Sequence, residues 1–309
     1  MKKFIVFGAT LLDLTIRLSE DIMKGRPGIN MSIGGKGYNV AQGISLFKMP
    51  VALSTMYGTD RIGDFLASEI EKHDIEVLAT NRVPGFSGIY VGVNDPGGET
   101  IIDRVDTALF EKHRIPKLDW KEYDVVVVIS SVPRRILNYL RDVKNKYPKK
   151  KFCLEISGRS TVEHISPYLD MFDFYISNYK EAVRFGEELQ TGKSLKEIIR
   201  KIYDKGPDVV IVTADKRAVY CGYEKKTEFK VKKYPVKEVK EIASTIGAGD
   251  SVTASFCAAY YGYGLSIDES IDVALEMAAE KIGVHEPVIA RLPGSVKKIV
   301  ARSKNQNLQ

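Results

Sequence analysis

Val125-Val126-Val127-Val128-Ile129, followed at once by Ser130-Ser131-Val132-Pro133, decides the fold. Five successive β-branched apolar residues leave no polar face, so this strand must be covered on both sides, as in a parallel sheet layered with helices. Pro133 suits a helix start, and Ile136, Leu137 and Leu140 then recur on one helical face. The pattern repeats along the chain. Phe4-Ile5-Val6-Phe7, Phe152 to Ile156, Phe174-Tyr175-Ile176 and Val209 to Val212 read as strands with helices between them, and Val40, Ile44 and Phe47 mark one helix face within Lys36 to Phe47. Such alternation predicts an α/β fold with a mainly parallel sheet.

Two stretches break the rhythm. Leu14 to Ser32 and Phe86 to Arg104 mix polar and apolar residues around turn signals such as Asn94-Asp95-Pro96-Gly97-Gly98. They predict antiparallel strands standing apart from the main sheet as a small lid. No Pro- or Ser-rich linker divides the chain. The expectation is one domain over residues 1–309, a three-layer sandwich around a mainly parallel central sheet, with lid strands inserted at about 14–33 and 86–106. The polar end, Ser303 to Gln309, is expected to fray.

Composition narrows the function classes. With 44% apolar and 28% charged residues among 309, the chain can bury a large core, and no apolar run approaches the roughly 20 residues of a membrane span. The opening Met1-Lys2-Lys3-Phe4 leads into a run too short for a signal peptide. Lys and Arg exceed Asp and Glu by 46 to 40, giving +6. The lysines are scattered in short clusters (Lys149 to Lys151, Lys225-Lys226, Lys232-Lys233, Lys297-Lys298) without interleaved aromatics, which fits a solvated surface better than a nucleic-acid site. Cys153, Cys221 and Cys257 are odd in number and far apart, so they predict neither disulfides nor zinc but small buried hydrophobes. A cytoplasmic location with no membrane and no nucleic acid follows as the expectation.

The chemistry concentrates in three short segments. Thr245-Ile246-Gly247-Ala248-Gly249-Asp250 bends tightly and opens a helix through Val252 and Phe256. Free amides and the positive end of the helix dipole make such a start an anion site. Asp250 beside an anion is useful where a hydroxyl proton must be removed; equally, it could simply favour the dipole. Gly34-Gly35-Lys36-Gly37-Tyr38-Asn39 is a second glycine turn opening a helix, without Walker A spacing, and Asn39 suits a polyhydroxyl ligand or a plain helix start. Asn178 to Glu181 after a strand has the spacing of a capping box. A dinucleotide-dependent oxidoreductase is disfavoured, since no G-x-G-x-x-G follows the first strand.

Taken together, these segments resemble the ribokinase-like, or PfkB, family of carbohydrate and nucleoside kinases, from Phe4 to about Pro293. Gly34 to Ala41 is similar to the first family signature and Thr245 to Asp250 to the second. Gly58 to Asp64 resembles the G-x-D-x-x-G segment, Asn178 to Glu181 the N-x-x-E motif, and Asp13 the acidic residue after the first strand. The resemblance implies that Asp250 is the catalytic base and that Gly247, Ala248 and Gly249 hold the transferred phosphoryl group. Asp13, Gly34, Gly35, Lys36, Asn39 and Asp106 would bind the substrate. Asn178, Thr213, Thr245, Gly247 and Gly249 would serve ATP, and Asn178 with Glu181 would organise Mg²⁺ through water. The adenine would lie towards Ala278 to His285.

The implied reaction is transfer of the γ-phosphoryl group of ATP to a sugar or ribonucleoside hydroxyl. A pseudouridine-type nucleoside kinase, suggested by Pro27-Gly28 and Asp106, and a catalytically silent sensor of sugar or nucleotide are the alternatives. Pairing through the lid would make a homodimer. Three departures stand out. Ser244 replaces an Asp that in several members belongs to a monovalent-cation site, which speaks against potassium activation. Thr213 to Ala218 lacks the glycines of T-x-G-x-x-G, and Glu155 to Arg159 keeps only the Arg of D-x-N-x-R. The enzymatic reading requires Asp250 to reach a substrate oxygen; an Asp250 buried in an ion pair, or turned from any cleft, would overturn it.

Overall fold

Apolar continuity puts β1 (Phe4–Phe7) in the interior, with all four residues buried. The computed structural model describes residues 1–18, 28–78, 82–95, 100–106, 108–158, 162–188, 194–214, 217–239 and 241–306. They fall into two compact units, Met1–Leu118 with Lys237–Gln309, and Asp119–Val236.

In the first unit the chain leaves β1 for an antiparallel pair, β2 (Leu11–Arg17) and β3 (Gly28–Gly34), then enters α1 (Lys36–Leu46) and returns as β4 (Val51–Ser54), parallel to β1. Next come β5 (Tyr57–Gly58), α2 (Arg61–Ile70), β6 (Glu76–Val77) and β7 (Arg82–Val83). β6 extends the parallel set in the order β1-β4-β6, while β5 and β7 form a separate parallel pair. The G-x-D-x-x-G segment is a fold device here. Asp60 caps α2 by accepting from Gly63 N–H at 2.9 Å, and it also accepts from the Ser87 hydroxyl at 2.6 Å.

β8 (Ile89–Asn94) and β9 (Thr100–Asp106) complete a four-stranded sheet in the order β3-β2-β8-β9, standing apart from the parallel strands. The separate small sheet is the expected one, with a correction: its two hairpins are antiparallel, but β2 and β8 at its centre pair in parallel, because the chain reaches β8 by a long excursion through α1 to β7 and not by a hairpin turn. Its register gives it two unlike faces. Leu12, Leu14 and Ile16 align with Ile33, Met31 and Ile29 on one side and with Ile89, Val91 and Val93 on the other. Asp13, Thr15, Asn30, Ser32 and Tyr90 alternate with them and therefore share the opposite face. Pro27, Glu99 and the Pro96-Gly97-Gly98 part of the turn lie outside the described residues.

The second unit carries β10 (Val125–Ile129), α3 (Arg134–Lys146), β11 (Lys151–Glu155), α4 (Val162–Ile165), β12 (Phe174–Asn178), α5 (Tyr179–Glu188), α6 (Leu195–Tyr203), β13 (Val209–Ala214), β14 (Ala218–Lys225) and β15 (Glu228–Tyr234). β10 to β13 pair in parallel, and β10 is buried throughout, as its sequence requires. β14 and β15 continue antiparallel through a turn with positive φ at Lys226 and Thr227. Lys230, Lys232 and Lys233 are exposed on the edge strand β15, where charge discourages strand addition. The lysine clusters thus lie in turns, on an edge strand and, for Lys297-Lys298, on the exposed side of the last helix.

The first unit closes with α7 (Ala248–Cys257), which runs into a π turn at Ala258–Gly262, then α8 (Ile267–Ile282) and α9 (Gly294–Gln306). Of the tail expected to fray from Ser303 to Gln309, residues 303–306 form the end of α9, whose Val296, Val300 and Ser303 are buried, and residues 307–309 lie outside the described residues. All three cysteines are free and buried. Among the described residues no helix is long and apolar enough to cross a membrane. The expected α/β fold with a mainly parallel sheet and a separate small sheet is what the chain adopts.

Candidate active site

Two glycine turns 211 residues apart in sequence meet because the helices they open pack side by side. The approach is close: a Cβ on Gly43 of α1 would fall 2.5 Å from the Ala254 side chain of α7. Asn39 in the first turn of α1 consequently faces Asp250 in the first turn of α7. Asn39 Nδ2 donates to Asp250 Oδ2 at 2.6 Å in a buried contact, and Lys36 Nζ stands 3.5 Å from Asp250 Oδ1. Both oxygens of Asp250 are therefore engaged. The pair is one-sided, for Asp250 is buried while the Lys36 side chain is 35% exposed.

Asp13 on β2 supplies a second buried carboxylate, packed on Gly34, where a Cβ would fall 2.0 Å from Oδ2. Burial, and then the like charge of Asp250, push Asp13 up to about 8. Asp13 Oδ1 and Asn39 Oδ1 are both buried without a hydrogen-bond partner. Two buried oxygens without partners call for donors, and hydroxyl groups are donors that fit.

The Asp13 shift has a checkable consequence. Its folded value lies above its unfolded value of 3.8, so the folded state favours the neutral acid. That contribution is fully present below pH 3.8 and is lost as the pH rises to about 8. Asp13→Asn removes it. Relative to the parent, the melting temperature of the variant should climb between pH 4 and pH 8 and level off above; a gap independent of pH would show Asp13 to be ionised in the fold.

The anion loop precedes α7. Gly247 caps the helix with φ of 82°, and a Cβ there would fall 2.2 Å from the Pro287 carbonyl oxygen. The first helical amides, Ala248, Gly249 and Asp250, lack intrahelical acceptors by geometry. Ala248 N–H donates to the Thr245 carbonyl at 3.3 Å, and the space beside Gly249 is open to at least 4 Å. The bare amides and dipole end suit an anion.

One residue of this region was not singled out from the sequence. Lys281 near the end of α8 is wholly buried, its Nζ donating to the Ser244 carbonyl at 3.1 Å and the Val284 carbonyl at 3.3 Å. Burial pushes its ammonium down to about 8, against the pull of Asp250 and Glu286. The signal was legible: Lys281 falls on the stripe of Ile271, Ala274 and Ala278 at helical spacing, where a charge is out of pattern.

The second unit holds the other predicted residues. Asn178 ends β12 and lies in register with Thr213 on β13, so both sit towards carboxyl ends of parallel strands, where α/β sheets bind ligands. Asn178 and Glu181 form a reciprocal capping box at 2.9 Å each way. One oxygen of each is thereby committed, which suits contact with a hydrated cation better than direct ligation. Among the described residues no group of three or more His, Cys, Asp or Glu could hold a metal ion. Asp106 stands elsewhere. It pairs with Ile89, which shares the face of Leu12 and not of Asp13, and its carboxylate accepts from Ala108 N–H at 2.9 Å. Arg159, Asp215 and Lys216 lie outside the described residues.

Comparison with known proteins adds the following. The family model described as pfkB family carbohydrate kinase matches residues 1–293. Ribokinase from Giardia lamblia superposes with a TM-score of 0.82 at 17% identity, covering 98% of this chain and 100% of that one. Ribokinase from Cryptococcus neoformans in complex with ADP gives 0.79 at 18%, covering 99% of each chain. Arabidopsis thaliana ribokinase complexed with ribose and ATP gives 0.78 at 19%, covering 97% and 99%. No curated protein matches.

Proposed function

We infer that this chain, which belongs to the pfkB family of carbohydrate kinases, moves the γ-phosphoryl group of ATP to a hydroxyl of a sugar or ribonucleoside. The observation that carries this reading is the buried contact between Asn39 and Asp250, which joins the two glycine turns into one site.

Asp13 and Asn39 accept hydrogen bonds from substrate hydroxyls on their orphaned oxygens and so orient the acceptor. Asp250, one hydrogen bond from Asn39, then receives the proton of the reacting hydroxyl. This requires Lys36 to leave the carboxylate, and its partly exposed, flexible stem allows it to swing towards the incoming phosphoryl charge. The amides of Gly249 and Asp250, with the dipole of α7, stabilise that charge as it moves. Asn178, Glu181 and Thr213 are the residues suited to ATP and hydrated Mg²⁺, whose role when bound is to neutralise the phosphates.

The engaged state of Asp250 favours one competing reading, a binding protein without turnover. ADP release is the test, measured with ATP, Mg²⁺ and a panel of pentoses, hexoses and nucleosides including pseudouridine. Acceptor-dependent ADP release by the parent is expected. Binding of a panel member without any release would replace the kinase reading with a sensor.

A further inference from the structure

The buried lysine of α8 has no part in the reaction as described above, yet it ties the start of the anion loop, at the Ser244 carbonyl, to the Val284 carbonyl just past its own helix. Ala243 N–H and Ser244 N–H both donate to the Ile282 carbonyl, at 2.9 and 3.3 Å, so the loop starts zipped to the end of α8. Ile246 N–H donates to the Ser244 hydroxyl at 3.2 Å, and Gly247 rests on Pro287. Between these attachments the Lys281 ammonium bridges the Ser244 and Val284 carbonyls.

Stability gives no reason for this choice. Removing an ammonium from water carries a penalty of several kcal/mol, and a well-packed apolar side chain of similar length would do as well or better. Among the described residues two carbonyls serve its three N–H donors. What an apolar residue could not supply is a fixed positive charge behind a loop that must hold phosphoryl oxygens.

We propose that Lys281 is a positioning residue for phosphoryl transfer, a built-in monovalent cation that locks Ser244 to Gly249 in shape and makes the loop independent of added cations. This rests on the kinase reading, and the experiment separates the two. Lys281→Met keeps length and removes charge; Lys281→Ala leaves a cavity that methylammonium can enter. Both variants should turn over about 10- to 100-fold more slowly, the usual loss when a supporting partner of a functional group is removed. The acceptor KM should stay within about twofold, since Asp13 and Asn39 are untouched. Amide exchange at Ile246 to Gly249 should quicken, and methylammonium should restore turnover to Lys281→Ala and not to Lys281→Met. The parent should work equally in potassium, sodium and tetramethylammonium chloride.

A folded Lys281→Met with parental turnover and parental exchange overturns the proposal. So does a strong dependence of the parent on potassium, a measurement that needs no variant. If the parent phosphorylates nothing while the exchange still quickens in the variants, the loop lock stands and the kinase reading falls.

Discussion

Asp250→Asn should lower turnover by at least ~100-fold, the low end for loss of a general base, with ATP binding retained. The substitution is nearly isosteric, and an Asn oxygen can still accept from Asn39 Nδ2, so the contact between α1 and α7 survives. What disappears is the negative charge and the capacity to take a proton. Two side effects identify the change as electrostatic. Lys36 loses its ion pair with residue 250, and Asp13, relieved of one of the two causes of its shift, ionises at lower pH. Steady-state kinetics, calorimetric ATP binding and a melting curve check the three parts. Turnover within a few-fold of the parent would remove Asp250 from the base role, whatever the family.

Gly247→Ala should be as severe for a different reason. At φ of 82° a side chain costs about 1–2 kcal/mol on backbone grounds alone. The added Cβ would also meet the Pro287 carbonyl oxygen at 2.2 Å, and backbone does not yield as a flexible side chain does. A loss of roughly 2–4 kcal/mol in stability is expected. A loop pushed off its amide geometry should also lose about 10²–10³ in turnover. Gly249→Ala is the matched control, with nothing within 4 Å of its Cβ and ordinary helical surroundings. It should leave stability unchanged or slightly raised while crowding the amides, so that turnover falls alone. Equal melting temperatures for the two variants would contradict the assigned loop geometry.

Much of this was legible in the chain. Val125 to Ile129 announced a doubly covered strand and became β10; the irregular stretches around Leu14 and Phe86 announced a separate sheet and became β2, β3, β8 and β9. Both glycine turns opened helices where the residues said they would. The Asn178–Glu181 spacing was ambiguous for a physical reason: a capping box and a cation-organising pair need the same two side chains. What sequence could not give was pairing across distance. Nothing local says that Asn39 meets Asp250, or that Lys36 leans on it, because the meeting is set by Gly43 and Ala254 one to two turns further along their helices. Asp106 shows the converse, since its place depends on a register that only the folded sheet reveals.

The two-sided character of β2 also constrains how this chain can diverge. Thr15, Ser32 and Tyr90 share the side of Asp13, and exchanging them one letter at a time leaves the register intact. Respacing the ribbon is another matter. A single residue inserted before Asp13 would turn the carboxylate outward and bring a leucine into its place, erasing both orphaned-oxygen chemistry and the greasy side in one event. Descendants of this sequence should therefore tolerate substitution along Leu11–Arg17 and admit no insertion or deletion there.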